Sequence, residues 1–334
     1  MGEGQGKKQG QLSRMVDENN RAPITPALRS KGGRAKSGSP LPYDRAPVRD
    51  LSPWIARVSA TDVKLAPDQV INCGIMSDTA VLRVLFRGEW WGETRDGPFD
   101  FTSAALFCGP QSKRIPTRVK GGFATCTVSL KPGAVAALNG PGAVDSLDRV
   151  ILYDAMYDEP WCNSKTLLNW FDPAGPPERW LRVAEKLFEQ LIDYTGAKEP
   201  DPIIAAFDKA AFENPNLSVA EFAKEHDISV RQLERLIKAA FGLTPKRVLR
   251  RARALDMAAH LRGVADDAEA ADMALRYYDQ SHLNREFVEF FGMTPAQFAR
   301  TPQPFLTLSL EGRQLRRLEA LGRNHPGTLP PWRR

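Results

Sequence analysis

Two short stretches of the chain carry polar side chains of a kind and spacing suited to directional hydrogen bonding. Arg231, Gln232, Glu234 and Arg235 stand together in one, with Lys238 a turn further on; Gln280, Ser281, His282, Asn284 and Arg285 stand together in the other. Arg offers a planar fork of donors, Gln and Asn a donor beside an acceptor, and Glu acceptors only. Such groups match the edges of bases: Arg pairs with guanine, Gln and Asn with adenine, and Glu accepts from cytosine. Glu234 has an equal alternative, a helix-stabilising pair with Arg231 or Lys238. His282 suits a backbone-phosphate or packing role better than a catalytic one.

The elements that must position these groups come from an internal repeat. "SVRQLERLIKAAFGLTPKRV" (229–248) and "DQSHLNREFVEFFGMTPAQF" (279–298) align without a gap at an offset of 50. Leu233 falls on Leu283, Arg235 on Arg285, and Phe241-Gly242 on Phe291-Gly292. Apolar residues recur at helical spacing, so each copy is a helix with one buried face. Gly242 and Gly292 suit the left-handed residue after a helix end. Thr244-Pro245 and Thr294-Pro295 each supply a cap and a first-turn proline for the next helix. Each copy follows a shorter helix, 218–226 in the first and about 268–276 in the second, across a tight turn. Helix, turn and a second helix with polar residues at its start is the helix-turn-helix arrangement, whose second helix enters the major groove.

With these residues in view, 200–302 resembles the AraC/XylS family of bacterial transcriptional activators. The resemblance rests on the paired units, "DQSHLNREF…FGMTP" and the joining helix "PKRVLRRARALDMAAHLRG". It implies two recognition helices in successive major grooves. Arg231, Glu234 and Arg235 would be base readers of the first unit, and Gln280, Ser281, Asn284 and Arg285 those of the second. In the joining helix Val248, Ala252, Leu255 and Ala259 form the expected buried stripe, leaving Arg247, Arg250 and Arg251 largely off it; Arg247 and Arg250 are then expected DNA contacts. Two departures stand out: Asp227 occupies the place of the family's turn glycine, and the second unit's turn is two residues shorter and lacks that glycine.

The rest of the chain reads as follows. Residues 1–50 are rich in Gly, Ser, Pro, Lys and Arg without periodicity and are expected to be mostly disordered. Residues 51–157 hold short β-rich runs such as "AVLRVLFRG" and "FATCTVSLKPG", typical of a small sheet or barrel. "GPQSKRIPTRVKGGFATCTVSLKPGAVAAL" is similar to the last strands and following helix of the cupin-like domains ahead of such DNA-binding modules. That similarity implies a ligand-sensing or dimerising domain. Residues 158–194 are read as a linker and connecting helix, 195–302 as the DNA-binding domain, and 303–334 as a tail with one amphipathic stretch. The expected fold class is α+β multidomain: a small β-barrel of cupin-like form, then an all-α domain with two helix-turn-helix units joined by a long helix.

Charge placement supports this division. The formal net charge is +6, but residues 1–50 carry ten basic against five acidic residues, so the remainder is nearly neutral. Within 224–253, nine basic residues face three acidic ones. That local excess beside a helix-turn-helix is the footprint expected of a DNA-binding surface.

Other classes are disfavoured. All four histidines lie outside 51–157, so the barrel has no imidazole for a metal-dependent enzyme. No nucleophile elbow, P-loop or dinucleotide fingerprint is present. No enzyme activity, cofactor or metal is expected. The four cysteines form no CxxC pair and suit buried apolar positions better than redox sensing. No apolar run is long enough to span a membrane. The expectation is a cytoplasmic, sequence-specific DNA-binding regulator responding to an unknown small-molecule effector through its front domain. Its partners are double-stranded DNA, with RNA polymerase and a second copy of the chain as further candidates. The alternative is an architectural or accessory DNA-binding protein whose front domain only assembles subunits.

Overall fold

A computed structural model describes residues 29–30, 32–34, 41–156, 163–266, 277, 279–323 and 329–333. Its first half is one antiparallel sheet, ordered β1-β3-β8-β5-β7-β9, with β2 on β3, β4 on β8 and β6 on β5. The strands are β1 (Arg29–Ser30), β2 (Tyr43–Arg45), β3 (Ile55–Lys64), β4 (Val70–Ile75), β5 (Val81–Thr94), β6 (Gly97–Phe101), β7 (Ala104–Cys108), β8 (Ile115–Leu130) and β9 (Val150–Leu152). The long β8 changes partner midway: Lys120 opposes Val70 of β4, whereas Phe123 opposes Val63 of β3. Between them lies Gly121-Gly122, with Gly121 at φ +74°, a conformation that costs glycine little and bends the sheet. Helix α1 (Ala134–Ala137) follows β8, as the sequence predicts.

Alternation along the strands makes two apolar faces. Leu82, Val84, Ala124, Cys126 and Val128 point to one side, which α2 (Ser164–Asn169) and α3 (Pro177–Thr195) cover with Leu167, Trp180, Leu181 and Phe188. Val81, Leu85, Val119 and Phe123 point to the other. There the cover comes from the helical half: α7 (Pro245–Leu261), α8 (Gln280–Phe291), α9 (Pro295–Arg300) and α10 (Pro304–Ala320). Helices α4 (Pro202–Glu213), α5 (Val219–Glu225) and α6 (Val230–Phe241) close a third core around Phe207, Phe222, Leu233 and Ile237 with the start of α7.

Three boundary expectations change. The segment 1–50 contributes β1 and β2, both paired to β3. Arg45 leaves β2 to pair with Glu178 (3.0 Å) and Glu185 (2.7 Å) of α3, which fixes that strand; residues 1–28 lie outside the described ones. The linker contains α2, capped by Asn163 through the Thr166 amide at 2.8 Å. The largest change concerns 303–334: α10 is no tail but a buried brace between sheet and joining helix. Phe305 packs on Trp90 and Phe123 of the sheet with ring centroids 5.2 Å apart in each case. Trp332, beyond α10, is buried and donates from Nε1 to Glu311 at 3.0 Å. Arginines on an amphipathic-looking helix are read as solvent-facing, yet Arg313, Arg316 and Arg317 are all buried, each with polar partners.

Candidate nucleic-acid interface

The first unit folds as its residues dictate. Ser218 caps α5 through the Glu221 amide at 3.3 Å. The turn closes with the Ile228 amide on the Ala223 carbonyl at 3.0 Å. Asp227 takes φ +52°, so an aspartate does the work of the missing glycine, a role that Asp and Asn fill more readily than most residues. Ser229 then opens α6 with a capping box: its hydroxyl accepts from the Gln232 amide, and Gln232 Oε1 accepts from the Ser229 amide at 2.9 Å. Leu233, Ile237, Ala240 and Phe241 are buried, which turns the opposite side outward.

That outward side brings the predicted residues together. Arg231, Gln232, Glu234, Arg235 and Lys238 are all exposed, and they rim one shallow surface hollow with Ser229 and Thr244. Among the described residues, Arg231, Glu234, Arg235 and Lys238 form no ion pair within 4 Å, so the pair considered for Glu234 is not made. Gln232 is divided: its carbonyl serves the cap and its amide remains to donate.

The second unit is built differently. Asp279 caps α8 by accepting from the His282 amide at 2.7 Å. Phe287 and Phe291 anchor the helix as the repeat predicts, stacked with centroids 4.4 Å apart and both buried. Ser281 and Arg285 are exposed, while Gln280 is half-buried. Asn284 is half-buried, and its Oδ1 is enclosed without a hydrogen-bond partner among the described residues. His282 turns inward: its ring meets Tyr277 edge-on at 5.7 Å, and Nε2 lies 3.7 Å from Glu286. It packs within the unit. The shortened turn and the helix expected near 268–276 lie outside the described residues.

The joining helix bears out its apolar stripe, with Val248, Ala252, Leu255 and Ala259 buried. Its arginines do not sit in solvent as expected. Arg250 pairs with Glu286 (3.1 Å) and Glu289 of α8, Arg253 with Glu286 (2.6 Å), and Arg247 with Glu289 (3.4 Å). Burial works against the Arg250 charge, but hydrogen bonds to Glu289 and Glu286 outweigh it and raise the guanidinium's pKa above its ordinary value. Arg247 and Arg250 therefore hold the second recognition helix against the joining helix, and a phosphate would have to compete for them. Arg251 is 1% exposed and donates to the carbonyls of Gln111 (2.7 Å) and Asp78 (2.8 Å) in the sheet domain. Burial, with Arg313 and Arg316 nearby, brings its pKa down to about 10.

Sequence reasoning missed Glu286 and Glu289, although the repeat carried the signal. They replace Leu236 and Ala239 of the first copy, and a carboxylate at a formerly apolar helix position needs a cation. It also missed that both recognition helices end on the sheet domain. The Arg114 amide donates to the Phe290 carbonyl at 2.7 Å, and Gly242 sits so near Ala143 that a Cβ there would lie 2.6 Å from its carbonyl oxygen.

A helix-turn-helix unit and a second recognition helix on one joining helix, braced behind an antiparallel sheet, define a helix-turn-helix protein with a β-rich front domain. Residues 222–301 match the family model described as a helix-turn-helix domain, and this part of the chain is a helix-turn-helix domain. No curated protein sequence matches the chain. Among solved structures, ToxT from Vibrio cholerae is similar at 7% identity and a TM-score of 0.45, over 72% of this chain and 97% of that one. The AraC-like transcriptional activator CuxR is similar at 13% identity and 0.29, over 71% and 92%. The C-terminal domain of AraT, a response regulator from Geobacillus stearothermophilus, is similar at 20% and 0.27, over 32% and 90%. At such identities and scores these likenesses carry no functional weight. No helix among the described residues is long and apolar enough to cross a membrane.

Proposed function

We propose that the protein is a sequence-specific, non-enzymatic DNA-binding regulator of transcription that acts in the cytoplasm and responds to a small molecule through its front domain. The observation that carries the reading is the exposed face of α6, where Arg231, Arg235 and Lys238 stand without an ion-pair partner among the described residues in a helix-turn-helix unit. Unneutralised cations cost little in water and are available to phosphate and base edges. Responsiveness is supported by the polar hollow under α10, which touches both the sheet and the helical half.

Selection of bound duplexes from a random pool tests the function. The expected result is a motif with two half-sites about one helical turn apart. Enrichment of bent or A·T-rich DNA with no motif would favour the architectural alternative, and no enrichment would remove the DNA-binding reading.

A further inference from the structure

The two recognition helices differ along the one stripe where they ought to agree. On α6, Arg231, Arg235 and Lys238 stand at i, i+4 and i+7, so they share a face of the helix, and all three are exposed. The equivalent residues of α8 are Ser281, Arg285 and Val288, and these too are all exposed. Three cations have become one. Val288 is 43% exposed, while Leu283, Phe287, Phe290 and Phe291 are buried on the other side of the same helix. A single apolar residue on a protein surface needs no special account. This one is set apart by its place, because it continues the line of Ser281 and Arg285 where the first copy has Lys238.

Neighbouring charge does not make good the loss. Arg247, Arg250 and Arg253 of the joining helix are engaged by Glu286 and Glu289 of α8 itself. The outward face of α8 therefore offers one guanidinium, one hydroxyl, the half-buried Asn284 and an isopropyl group. A face so poor in free cations gains little from phosphates and has to discriminate at the base edges. In the major groove the bases present one apolar feature, the C5-methyl of thymine. An isopropyl group laid on that methyl removes apolar surface of both from water. Laid on the cytosine amine or the guanine carbonyl, it would strip water from a polar group and return no hydrogen bond. From Ser281 to Val288 the helix rises about 10 Å, or about three base-pair steps, which places the methyl about three pairs from the one that Ser281 meets.

Resting on the regulator reading above, we propose that Val288 is a specificity-determining residue that reads a thymine methyl in the second half-site. Lys238, at the same position of α6, brings a charge to the first half-site instead. The two half-sites are then unlike, so the site has a direction, and α8 recognises its half by shape and apolar contact more than by charge.

The test uses the full chain on the duplex selected from the random pool. The second half-site is the one whose base preference Arg235→Ala leaves intact. Each of its thymines is replaced in turn by deoxyuridine, which keeps the hydrogen-bonding groups and lacks only the methyl. One replacement should weaken wild-type binding about fourfold, the effect of one buried methyl group. Val288→Ala should bind the thymine and deoxyuridine duplexes about equally and, since the side chain is exposed, should melt as the wild type does. A second half-site without a thymine, deoxyuridine tolerated at every position, or the full deoxyuridine penalty retained in Val288→Ala each overturns the inference and leaves the regulator reading standing. Failure of the wild type to select any motif defeats the regulator reading itself.

Discussion

The amide of Arg114, at the tip of a sheet-domain turn, donates to the carbonyl of Phe290 in the last turn of the second recognition helix at 2.7 Å. A helix's final carbonyls have no partner within the helix, and here a different domain supplies one. The first recognition helix meets the same domain at Gly242, which lies against Ala143 and Leu147.

That arrangement predicts unequal costs at two equivalent glycines. Gly242 and Gly292 both end recognition helices at φ near +73° and +72°. Any Cβ in this conformation costs about 1–2 kcal/mol. Gly292 has nothing within 4 Å, so Gly292→Ala should cost that alone. Gly242→Ala also drives a methyl into the Ala143 backbone and should lower the melting temperature further. Equal shifts in thermal melts would mean the first unit is not docked on the sheet domain in solution.

Arg235 and Arg250 should fail differently. Arg235→Ala should relax preference at one base position and cost about 1–3 kcal/mol of discrimination. Arg250 is spent on Glu286 and Glu289, so Arg250→Ala should loosen α8 on α7 and blur the second half-site. Its effect on the salt slope should be small, because a contact made to protein releases few counterions from DNA. Competition binding at several salt concentrations separates the two outcomes. A slope reduced by a full unit in Arg250→Ala would return it to the phosphate contacts.

A fragment of 195–302 is expected to be poorly folded. It leaves Arg251 without its carbonyl partners and Asp256 without Arg313, and it strips the apolar side of α7 that α10 covers. Extending the fragment to 323 restores the Arg313–Asp256 pair and part of the cover. Circular dichroism should show more helix per residue in the longer fragment; equal helicity and melting would show that α10 does not brace the domain.

Asp78 gives a pH-dependent prediction. Burial alone would raise its pKa, but Arg316, Arg313 and Arg251 outweigh that and hold the carboxyl below its ordinary 3.8. A group with a lowered folded pKa stabilises fully above the unfolded value and loses that contribution as pH falls through the folded one. Asp78→Asn should therefore destabilise the chain at neutral pH by about 3 kcal/mol, the low end for a broken buried pair, since Arg313 keeps Asp256. Denaturant melts of the two proteins should converge as pH drops below about 4. A constant gap across pH would show that the carboxylate's charge is not what matters.

The helices were legible because the pattern that forms them is local. Periodicity and the glycine stops at Gly242 and Gly292 gave α6 and α8, and the alternation in "FATCTVSL" fell within β8. The exposed row Arg231, Glu234, Arg235 and Lys238 followed from that same periodicity. What stayed hidden depended on distant partners. Arg251 has the look of a solvent-facing residue until the Asp78 and Gln111 carbonyls arrive from 140 or more positions away. The brace α10 reads as a charged surface helix because its arginines find Asp78, Asp256 and the Phe212 carbonyl only in the folded chain. Glu286 and Glu289 lay between these cases, since comparing the two copies exposes them without any structure.

Because α6 and α8 both abut one continuous sheet domain, the interval between the two reading heads behaves as a fixed gauge rather than an adjustable span. One base pair added between half-sites turns one of them by about 34° and displaces it by about 3.4 Å relative to the other. Two heads on a flexible strap could follow such a change, but heads seated at Ala143 and Arg114 cannot do so without giving up a seat. The protein should therefore tolerate mismatches inside a half-site better than a single inserted pair between them.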